Sequence, residues 1–397
     1  MEIKGSNNFH FLVYLSLLSV IGLLATDMYL PAFDVMHSDL ATTKSNIGLS
    51  LTVFLGGYAV AQLLWGPFSD RFGIAKAVIL GLGIFAISSI GLFLTDNIII
   101  FILLRLLQAI GACSAAVSWQ ALVITHFKES ETNKIFATIM PLVALSPALA
   151  PLLGVFILEI WGWRYIFIAV ALIAVLLIIY SFSLPTSSKG DQTSNIKKSY
   201  WSFFSSKTYI GNVMIYGACS AGFFAWLTGA PFFLKDLGYS EWDIGLSFIP
   251  QTIAFMTGGY SYRFAGDKIK GRVLLNYLLP VYSLCMLAIL YISLFSQPTL
   301  FVLLIPFCFM AFANGATYPI VVAEALKPFV NDSGKASALL NFLQLSACFL
   351  ASAVVSKFTD SSSLLATSVV MAATIVFALT GYLLSKQPAD QLSKSKL

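Results

Sequence analysis

Apolar runs long enough to cross a lipid bilayer occupy most of this chain of 397 residues. A spanning helix needs about 20 apolar residues, and twelve segments meet this length. They are much longer than the roughly 10-residue strands of a membrane barrel. Charged residues make up only 10% of the sequence, against about 25% in soluble domains. The sequence therefore predicts an all-α membrane protein. The predicted spans 1 to 12 are 9–30, 47–67, 74–94, 98–124, 134–158, 163–184, 209–234, 244–264, 273–295, 298–325, 336–357 and 363–385.

Lysines and arginines are distributed unevenly over the predicted loops. With the N-terminus in the cytoplasm, eighteen of them fall inside and four outside, as the positive-inside rule requires. An odd number of spans would destroy this asymmetry. The first run is too long for the apolar part of a signal peptide and is interpreted as a retained helix. We therefore predict a multi-pass membrane protein with both termini in the cytoplasm.

A polar segment divides the spans into two sets of six. Residues 185–208 are rich in Ser and Lys and follow span 6. The pentapeptide NIGLS at 46–50 recurs as DIGLS at 243–247, an offset of 197 residues. This pentapeptide repeat predicts two pseudo-symmetric six-helix bundles, 1–184 and 209–397, joined by a cytoplasmic linker. Parallel repeats of this kind are a known plan of membrane transporters.

One carboxylate lies well inside an apolar run. Asp27 falls within span 1, and an ionisable residue inside the membrane is a functional candidate by default. We predict that Asp27 is the proton-coupling residue and that Arg105, the one basic residue inside a span, tunes it. Two alternatives remain open. In the first, Asp27 is only a hydrated carboxylate at a helix end. In the second, Arg105 is a structural arginine bonded to helix carbonyls.

The loop after span 2 carries a glycine-rich motif, GPFSDRFGIAK at 66–76. It resembles the G-x-x-x-D-R-x-G-R-[KR] signature of the major facilitator superfamily, with Ile-Ala in place of two basic residues. Gly66 and Gly73 permit close helix approach and a tight turn. Asp70 and Arg71 are suited to charge-assisted bonds that hold a cytoplasmic gate. These four residues are therefore predicted to act in gating, with a merely solvated Asp-Arg turn as the alternative.

Two further motifs resemble signatures of proton-linked members of that superfamily. Span 4 reads RLLQAIG from Arg105, in the pattern R-x-x-Q-x-x-G. Span 5 contains Pro141, Pro147 and Pro151, followed by Gly154, a loose form of the antiporter signature Gly-Pro-x-x-Gly-Gly. Closely spaced prolines predict a bent helix, and small residues allow tight contact with a neighbour. Pro147, Pro151 and Gly154 are therefore predicted to take part in gating, and the motif favours export.

The sequence around Asp27 narrows the resemblance. Residues 25–33 read ATDMYLPAF, similar to the T-D-M-Y-L-P-A signature of the Bcr/CflA drug-resistance branch of the 12-helix drug:proton antiporters. Within that branch, stretches such as 62–67 and 223–229 are most similar to a purine nucleoside transporter. The resemblance covers the whole chain. It implies a major facilitator fold, a monomer in the bacterial inner membrane, rocker-switch alternating access, and the proton gradient as energy source without any cofactor. Ser19 stands where some multidrug relatives carry a second acid.

Amide and aromatic side chains inside the spans outline a candidate substrate site. Amides can read the edge of a heterocycle, and aromatic faces stack on bases at roughly 1–3 kcal/mol per base. Such a lining favours a neutral, planar, polar substrate such as a purine nucleoside. Amides that only bond neighbouring helices and Trp residues that anchor the interface are the alternatives. The candidates are Tyr58, Gln62, Gln108, Trp119, Gln120, Tyr216, Trp226, Gln251, Asn314, Tyr318, Asn341 and Gln344, with Asn314 and Gln344 preferred.

The remaining classes of function find little support. The chain has no H-E-x-x-H, G-x-S-x-G or G-x-x-x-x-G-K-[ST] motif, so an enzyme is not expected. Its five cysteines are isolated, which predicts neither a disulfide nor a metal site. The net charge of +5 reflects cytoplasmic loops and not nucleic acid binding. A channel fits the two-half duplication less well. A proton-linked nucleoside importer and a broad exporter of drugs such as bicyclomycin or chloramphenicol are the alternatives to nucleoside export.

Overall fold

The computed structural model describes residues 5–127, 129–183, 201–265, 271–295 and 298–385. Within these ranges the chain is almost entirely α-helical, with two short 3-10 turns at Leu30–Ala32 and Lys327–Asp332. The α-helices are α1 (Gly5–Asp27), α2 (Phe33–Asp39), α3 (Lys44–Phe72), α4 (Ile74–Leu94), α5 (Ile98–His126), α6 (Glu129–Trp161), α7 (Arg164–Ser181), α8 (Trp201–Phe204), α9 (Lys207–Asp236), α10 (Glu241–Ala265), α11 (Gly271–Phe295), α12 (Leu300–Leu326) and α13 (Ser333–Ser385).

The long helices match the predicted spans. In the described part of the chain, nine helical segments are long and apolar enough to cross a membrane. One of the nine, within α13, covers both span 11 and span 12, and α6 and α10 coincide with spans 5 and 8. Each of the twelve predicted spans therefore has a helical counterpart, and the predicted all-α membrane fold is confirmed.

Two of the differences from the predicted helix boundaries change the architecture. Span 1 is predicted to end at residue 30, whereas α1 ends at Asp27 and the chain continues through a 3-10 turn into α2. Pro31 lies in the first turn of that 3-10 segment. A proline lacks the N–H that would continue α1, and its ring clashes with the preceding turn, so α1 ends before it. At the other end of the chain, α13 runs through the predicted loop and departs from helical geometry at Ser362. Asp27 consequently lies at a helix break, not within a continuous helix.

Helices α3, α4 and α5 pack closely against one another. Their contact contains a buried cluster of Ala61, Trp65, Ala77 and Cys113. Trp65 Nε1 donates a hydrogen bond of 2.7 Å to the backbone carbonyl of Ile110. Small side chains allow membrane helices to approach closely, and the Trp65 ring fills the space that they leave.

The second half of the chain has its own core. Tyr209 of α9 is buried beside Ala325 of α12 and Ala336 and Leu340 of α13. The Tyr209 hydroxyl donates a hydrogen bond of 2.6 Å to the carbonyl oxygen of Ala336. This bond satisfies a polar group in an apolar environment, where an unpaired hydroxyl is costly.

The described residues group into two compact units. Unit 1 lies within 1–193, 227–252 and 352–364, and unit 2 lies within 194–226, 253–351 and 365–397. Unit 1 thus combines the first sequence half with the C-terminal end of α9, the first part of α10 and a middle section of α13. The grouping describes contacts in one conformation. The division into moving bundles 1–184 and 209–397 stays a prediction, and residues 185–200 of the predicted linker lie outside the described residues.

The indole hydrogen bond of Trp65 leads to a first prediction. We expect Trp65→Phe to lower the free energy of unfolding by about 0.5–1.5 kcal/mol, the net value of one buried hydrogen bond. Thermal unfolding of the purified protein in detergent measures this change. Trp161, which is exposed, provides the control Trp161→Phe. An equal loss in the control would show that the bond to Ile110 is not the cause.

Candidate functional site

Asp27 is the last residue of α1 and is buried. The residue is 4% exposed, and Thr26 Oγ1 donates a hydrogen bond of 2.9 Å to Asp27 Oδ1. Among the described residues, Asp27 takes part in no ion pair. Broken membrane helices place polar groups and helix ends at ion-binding sites in transporters. The carboxyl group therefore occupies a position at which binding a proton can change the local structure.

Arg105 of α5 is fully buried and contacts α1 through the backbone. Its Nη1 donates a hydrogen bond of 3.1 Å to the carbonyl oxygen of Ala25 and a second one to Gln108 Oε1. Gln108 Nε2 in turn donates to Ser89 Oγ at 2.8 Å. The structure therefore agrees with the alternative of an arginine bonded to a helix carbonyl. The accepting carbonyl belongs to Ala25, which lies two residues before Asp27 on α1.

Three aromatic rings surround the guanidinium group of Arg105. Its Cζ lies 4.3 Å from the ring centroid of Tyr29, 4.4 Å from that of Phe54 and 6.0 Å from that of Phe167. A cation over an aromatic face is stabilised by the ring quadrupole, and more so when water is excluded. The Tyr29 hydroxyl is hydrogen-bonded to Ser50 of α3 at 3.2 Å. This aromatic cage, Tyr29, Phe54 and Phe167, joins α3, α5 and α7 to the segment that follows Asp27.

The antiporter-type motif of α6 packs against the same break in α1. A Cβ atom added at Gly154 would lie 1.7 Å from the carbonyl oxygen of Met28, so only glycine allows the observed approach. Pro151 is buried and Pro147 is half-buried. The close contact expected for this motif is therefore present at Gly154. The predicted gating roles of Pro147, Pro151 and Gly154 stay predictions.

The predicted cytoplasmic gate is only partly described. Gly73 ends α3 with a φ of +93°, a left-handed conformation that favours glycine. A Cβ at Gly66 would meet nothing within 4 Å, so the close approach expected at Gly66 is not observed. Arg71 is exposed and lies over the ring of Phe72. The Asp70 side chain lies outside the part of the chain that the structure describes.

Polar candidates of the second half cluster inside unit 2. Ser220 Oγ donates to the Tyr318 hydroxyl at 3.0 Å, and the Tyr216 and Tyr318 rings meet edge to face with centroids 4.9 Å apart. Asn314 Nδ2 donates to the carbonyl oxygen of Cys219 at 3.2 Å. Asn314 Oδ1 is buried and has no hydrogen-bond partner among the described residues. This aromatic and amide cluster offers an acceptor to a ligand.

The other candidates are dispersed over both units. Trp226 is fully buried and stacks on Phe307 at 4.1 Å, which is an arrangement of core packing. Gln344 is buried and bonds to Cys348 within its own helix, Gln251 is buried and bonds to the carbonyl oxygen of Ser247, Trp119 is buried, Tyr58, Gln62 and Asn341 are half-buried, and Gln120 is exposed.

Sequence reasoning missed the aromatic cage around Arg105. Tyr29 belongs to the signature that surrounds Asp27, so its position in that motif could have indicated that it is part of the site. Phe54 and Phe167 lie in apolar runs among 33 phenylalanines, and nothing in the sequence distinguishes them. Only helix packing brings them to the guanidinium group.

The aromatic cage leads to a second prediction. Arg105→Lys keeps the charge but loses the planar group that stacks on two rings and bonds to Ala25. We expect a lower unfolding temperature, reflecting the loss of interactions worth about 0.5–2 kcal/mol each. Thermal unfolding in detergent measures it. Arg71→Lys, at an exposed position, is the matched control, and equal stability of both variants would contradict the prediction.

Comparisons with known proteins agree with this architecture. The chain is 28% identical over 340 residues to the uncharacterized MFS-type transporter YdgK of Bacillus subtilis, covering 83% of this chain and 84% of that protein. It is 35% identical over 266 residues to a chloramphenicol resistance protein of Pseudomonas aeruginosa, covering 64% and 61%. A bicyclomycin resistance protein homolog of Haemophilus influenzae is 25% identical over 285 residues, covering 70% and 72%.

The fold comparison and the family comparison lead to one conclusion. The crystal structure of a D-xylose-proton symporter superposes with a TM-score of 0.76 over 95% of this chain and 98% of that one, at 18% identity, which indicates a shared fold. The family pattern of the Major Facilitator Superfamily matches residues 15–352. The chain belongs to the Major Facilitator Superfamily of multi-pass membrane transporters.

Proposed function

We propose that this chain is a proton-coupled secondary transporter that exports small heterocyclic molecules across the bacterial inner membrane by alternating access. The observation that carries the proposal is the buried carboxyl group of Asp27 at the break of α1. Protonation changes the charge at a point where α1, the Met28 turn and α6 meet. A change of charge that favours one of two conformations shifts the balance between them.

Arg105 has a positioning role in this proposal. Its bond to the Ala25 carbonyl and its stacking on Tyr29 hold the chain on both sides of Asp27. A shift of α1 against α5 on protonation would be transmitted through these contacts. Asp70 and Arg71 are proposed to latch the cytoplasmic side, as in the signature that their motif resembles.

Two observations support the proposed substrate class: the names of the relatives and the cluster in unit 2. Two relatives are named for resistance to chloramphenicol and bicyclomycin, which supports export of a drug-like compound. Asn314 Oδ1 has no hydrogen-bond partner among the described residues and can accept one from a ligand, and the Tyr216 and Tyr318 rings offer flat apolar faces. These groups suit a neutral ring system that carries an N–H or O–H donor. Chloramphenicol-like drugs and purine nucleosides are the two classes that we propose to test.

The third prediction concerns coupling. We expect Asp27→Asn to abolish substrate-driven proton movement while binding is retained, because asparagine keeps the shape and cannot lose a proton. The measurement uses liposomes with the purified protein, a trapped pH dye and an imposed pH gradient, to which chloramphenicol or adenosine is added. Asp96→Asn, a change at an exposed aspartate, is the matched control.

The outcomes separate the candidate functions. Proton flux with chloramphenicol alone supports drug export, and flux with adenosine supports a nucleoside carrier. The sign of the flux distinguishes antiport from the alternative of an importer. Undiminished uphill transport by Asp27→Asn would refute the coupling role of Asp27.

A further inference from the structure

Thr26 lies beside Asp27 in the last turn of α1 and is buried. Its exposed fraction is 6%, against 4% for Asp27. Its hydroxyl group has three oxygen atoms within reach: Asp27 Oδ1 at 2.9 Å, the carbonyl oxygen of Leu23 at 2.9 Å and that of Gly22 at 3.4 Å. A hydroxyl group carries one hydrogen atom to donate. Thr26 therefore donates either to the carboxyl group of Asp27 or to the backbone of its own helix.

The charge of Asp27 determines which of these acceptors the Thr26 hydroxyl prefers. An ionised carboxylate only accepts hydrogen bonds, and a bond to it is about twice as strong as one between neutral groups. The Thr26 hydroxyl then donates to Asp27 Oδ1. When a proton binds to a carboxylate oxygen, Asp27 gains an O–H that can donate to Thr26 Oγ1. The Thr26 hydrogen atom is then available to the Leu23 carbonyl.

Both arrangements fit the observed positions of the heavy atoms. Asp27 Oδ1 and the Leu23 carbonyl oxygen are equally distant from Thr26 Oγ1, so the exchange needs only a rotation of the hydroxyl hydrogen. A polar group without a partner is costly inside a membrane, where water cannot replace the missing bond. The Thr26 hydroxyl thus gives the Asp27 carboxyl group a partner in both of its protonation states.

The exchange also changes the bonding of the preceding turn of α1. A Thr hydroxyl that bonds to a carbonyl three or four residues earlier competes with the backbone and often bends the helix. Gly22 in this turn lies against α3, because a Cβ atom added there would be 3.2 Å from both Cε2 and the hydroxyl oxygen of Tyr58. Binding of a proton to Asp27 therefore changes the hydrogen bonding of a turn that contacts a predicted substrate residue.

The other titratable groups around this turn do not bond to the carboxyl group. They are Tyr29, Tyr58 on α3 and Arg105 on α5. Helices α6 and α7 approach the break through residues that do not titrate, Gly154 and Phe167. Among the described residues, Thr26 is the one whose side chain donates to Asp27. A substitution of Thr26 therefore changes the bonding of Asp27 and leaves the contacts of Arg105 in place.

We propose that Thr26 is a positioning residue for proton coupling, whose hydroxyl exchanges the Asp27 carboxylate for the Leu23 carbonyl when a proton binds. This inference rests on the proposed function, because it takes Asp27 as the proton site. It deepens that function by assigning a role to a neutral side chain. Because the bond to the ionised form is the stronger one, the Thr26 hydroxyl lowers the pH at which Asp27 can release its proton.

The fourth prediction concerns the pH dependence of coupling. Thr26→Val keeps the shape of the side chain and removes the hydroxyl group. The ionised form of Asp27 then loses a charge-assisted bond and the neutral form loses a weaker one, so proton release requires a higher pH. We expect the midpoint of the pH profile of substrate-driven proton movement to rise by about 1 pH unit. The liposome assay, repeated over a series of pH values, measures this shift.

Conservative variants separate this role from packing. Thr26→Ser keeps a hydroxyl group and should restore the original midpoint. Thr26→Ala should show the same upward shift as Thr26→Val, and it replaces that variant if the valine protein does not fold. Thr359 is the matched control, because it is 3% exposed and its hydroxyl donates to the carbonyl oxygen of Val355 in its own helix at 2.8 Å. Thr359→Val should leave the midpoint unchanged.

Infrared difference spectroscopy of the purified full-length protein provides a second readout that needs no substrate. The C=O band of protonated Asp27 is identified by its absence in Asp27→Asn and is followed as the pH is varied. Thr26→Val should raise the midpoint of this titration by about 1 pH unit. It should also change the frequency of the band, because the protonated carboxyl group loses its bond to Thr26.

The outcomes distinguish the role of Thr26 from the proposed function. Equal midpoints with and without the Thr26 hydroxyl, or the same shift in Thr26→Ser or Thr359→Val, would overturn the inference. A Thr26→Val protein that loses only thermal stability would overturn it too, as would the absence of a titrating band that Asp27→Asn removes. If the infrared midpoint shifts as expected while neither chloramphenicol nor adenosine moves protons, the hydroxyl exchange stands and the proposed function falls.

Discussion

The cost of burying charge in the membrane is the constraint on which the site depends. Arg105 is fully buried, and an isolated guanidinium in hydrocarbon is unfavourable by several kcal/mol. Two hydrogen bonds and three aromatic rings offset part of that cost. Because one bond reaches the Ala25 carbonyl and one ring is Tyr29, the compensation also fixes the chain on both sides of Asp27. The same set of contacts thus stabilises the cation and positions the acid.

The break in α1 couples the position of Asp27 to the packing of α6. Pro31 prevents a continuous helix, and the chain turns at Met28 and Tyr29, directly after Asp27. Gly154 of α6 fits against the Met28 carbonyl with no room for a methyl group. A helix end that is packed this closely cannot shift without moving α6, and α6 in turn meets Gly245 through Val155. The acid is therefore linked by direct contacts, through Met28 and α6, to Gly245 of α10.

Some of the fold and the site could be predicted from the sequence, and some could not. Asp27 and Arg105 stand out because charged residues inside apolar runs are rare, and both are buried as expected. The expected electrostatic partnership is replaced by a bond from Arg105 to a backbone carbonyl, and the sequence offers no way to choose between a carboxylate and a carbonyl as the partner. Trp226 was a reasonable candidate for stacking on a ligand, yet it stacks on Phe307, because side-chain surroundings depend on which helices become neighbours.

The sequence by itself determined that this chain crosses a membrane many times, that it is duplicated, and that it carries an acid and a base within its spans. Those properties depend on the length and polarity of local segments, which the bilayer selects directly. Only the tertiary structure decided that NIGLS and DIGLS place their glycines against α13 and α6, and that two phenylalanines enclose Arg105. Contacts between helices depend on distances between residues far apart in the chain, and hydropathy contains no information about those distances.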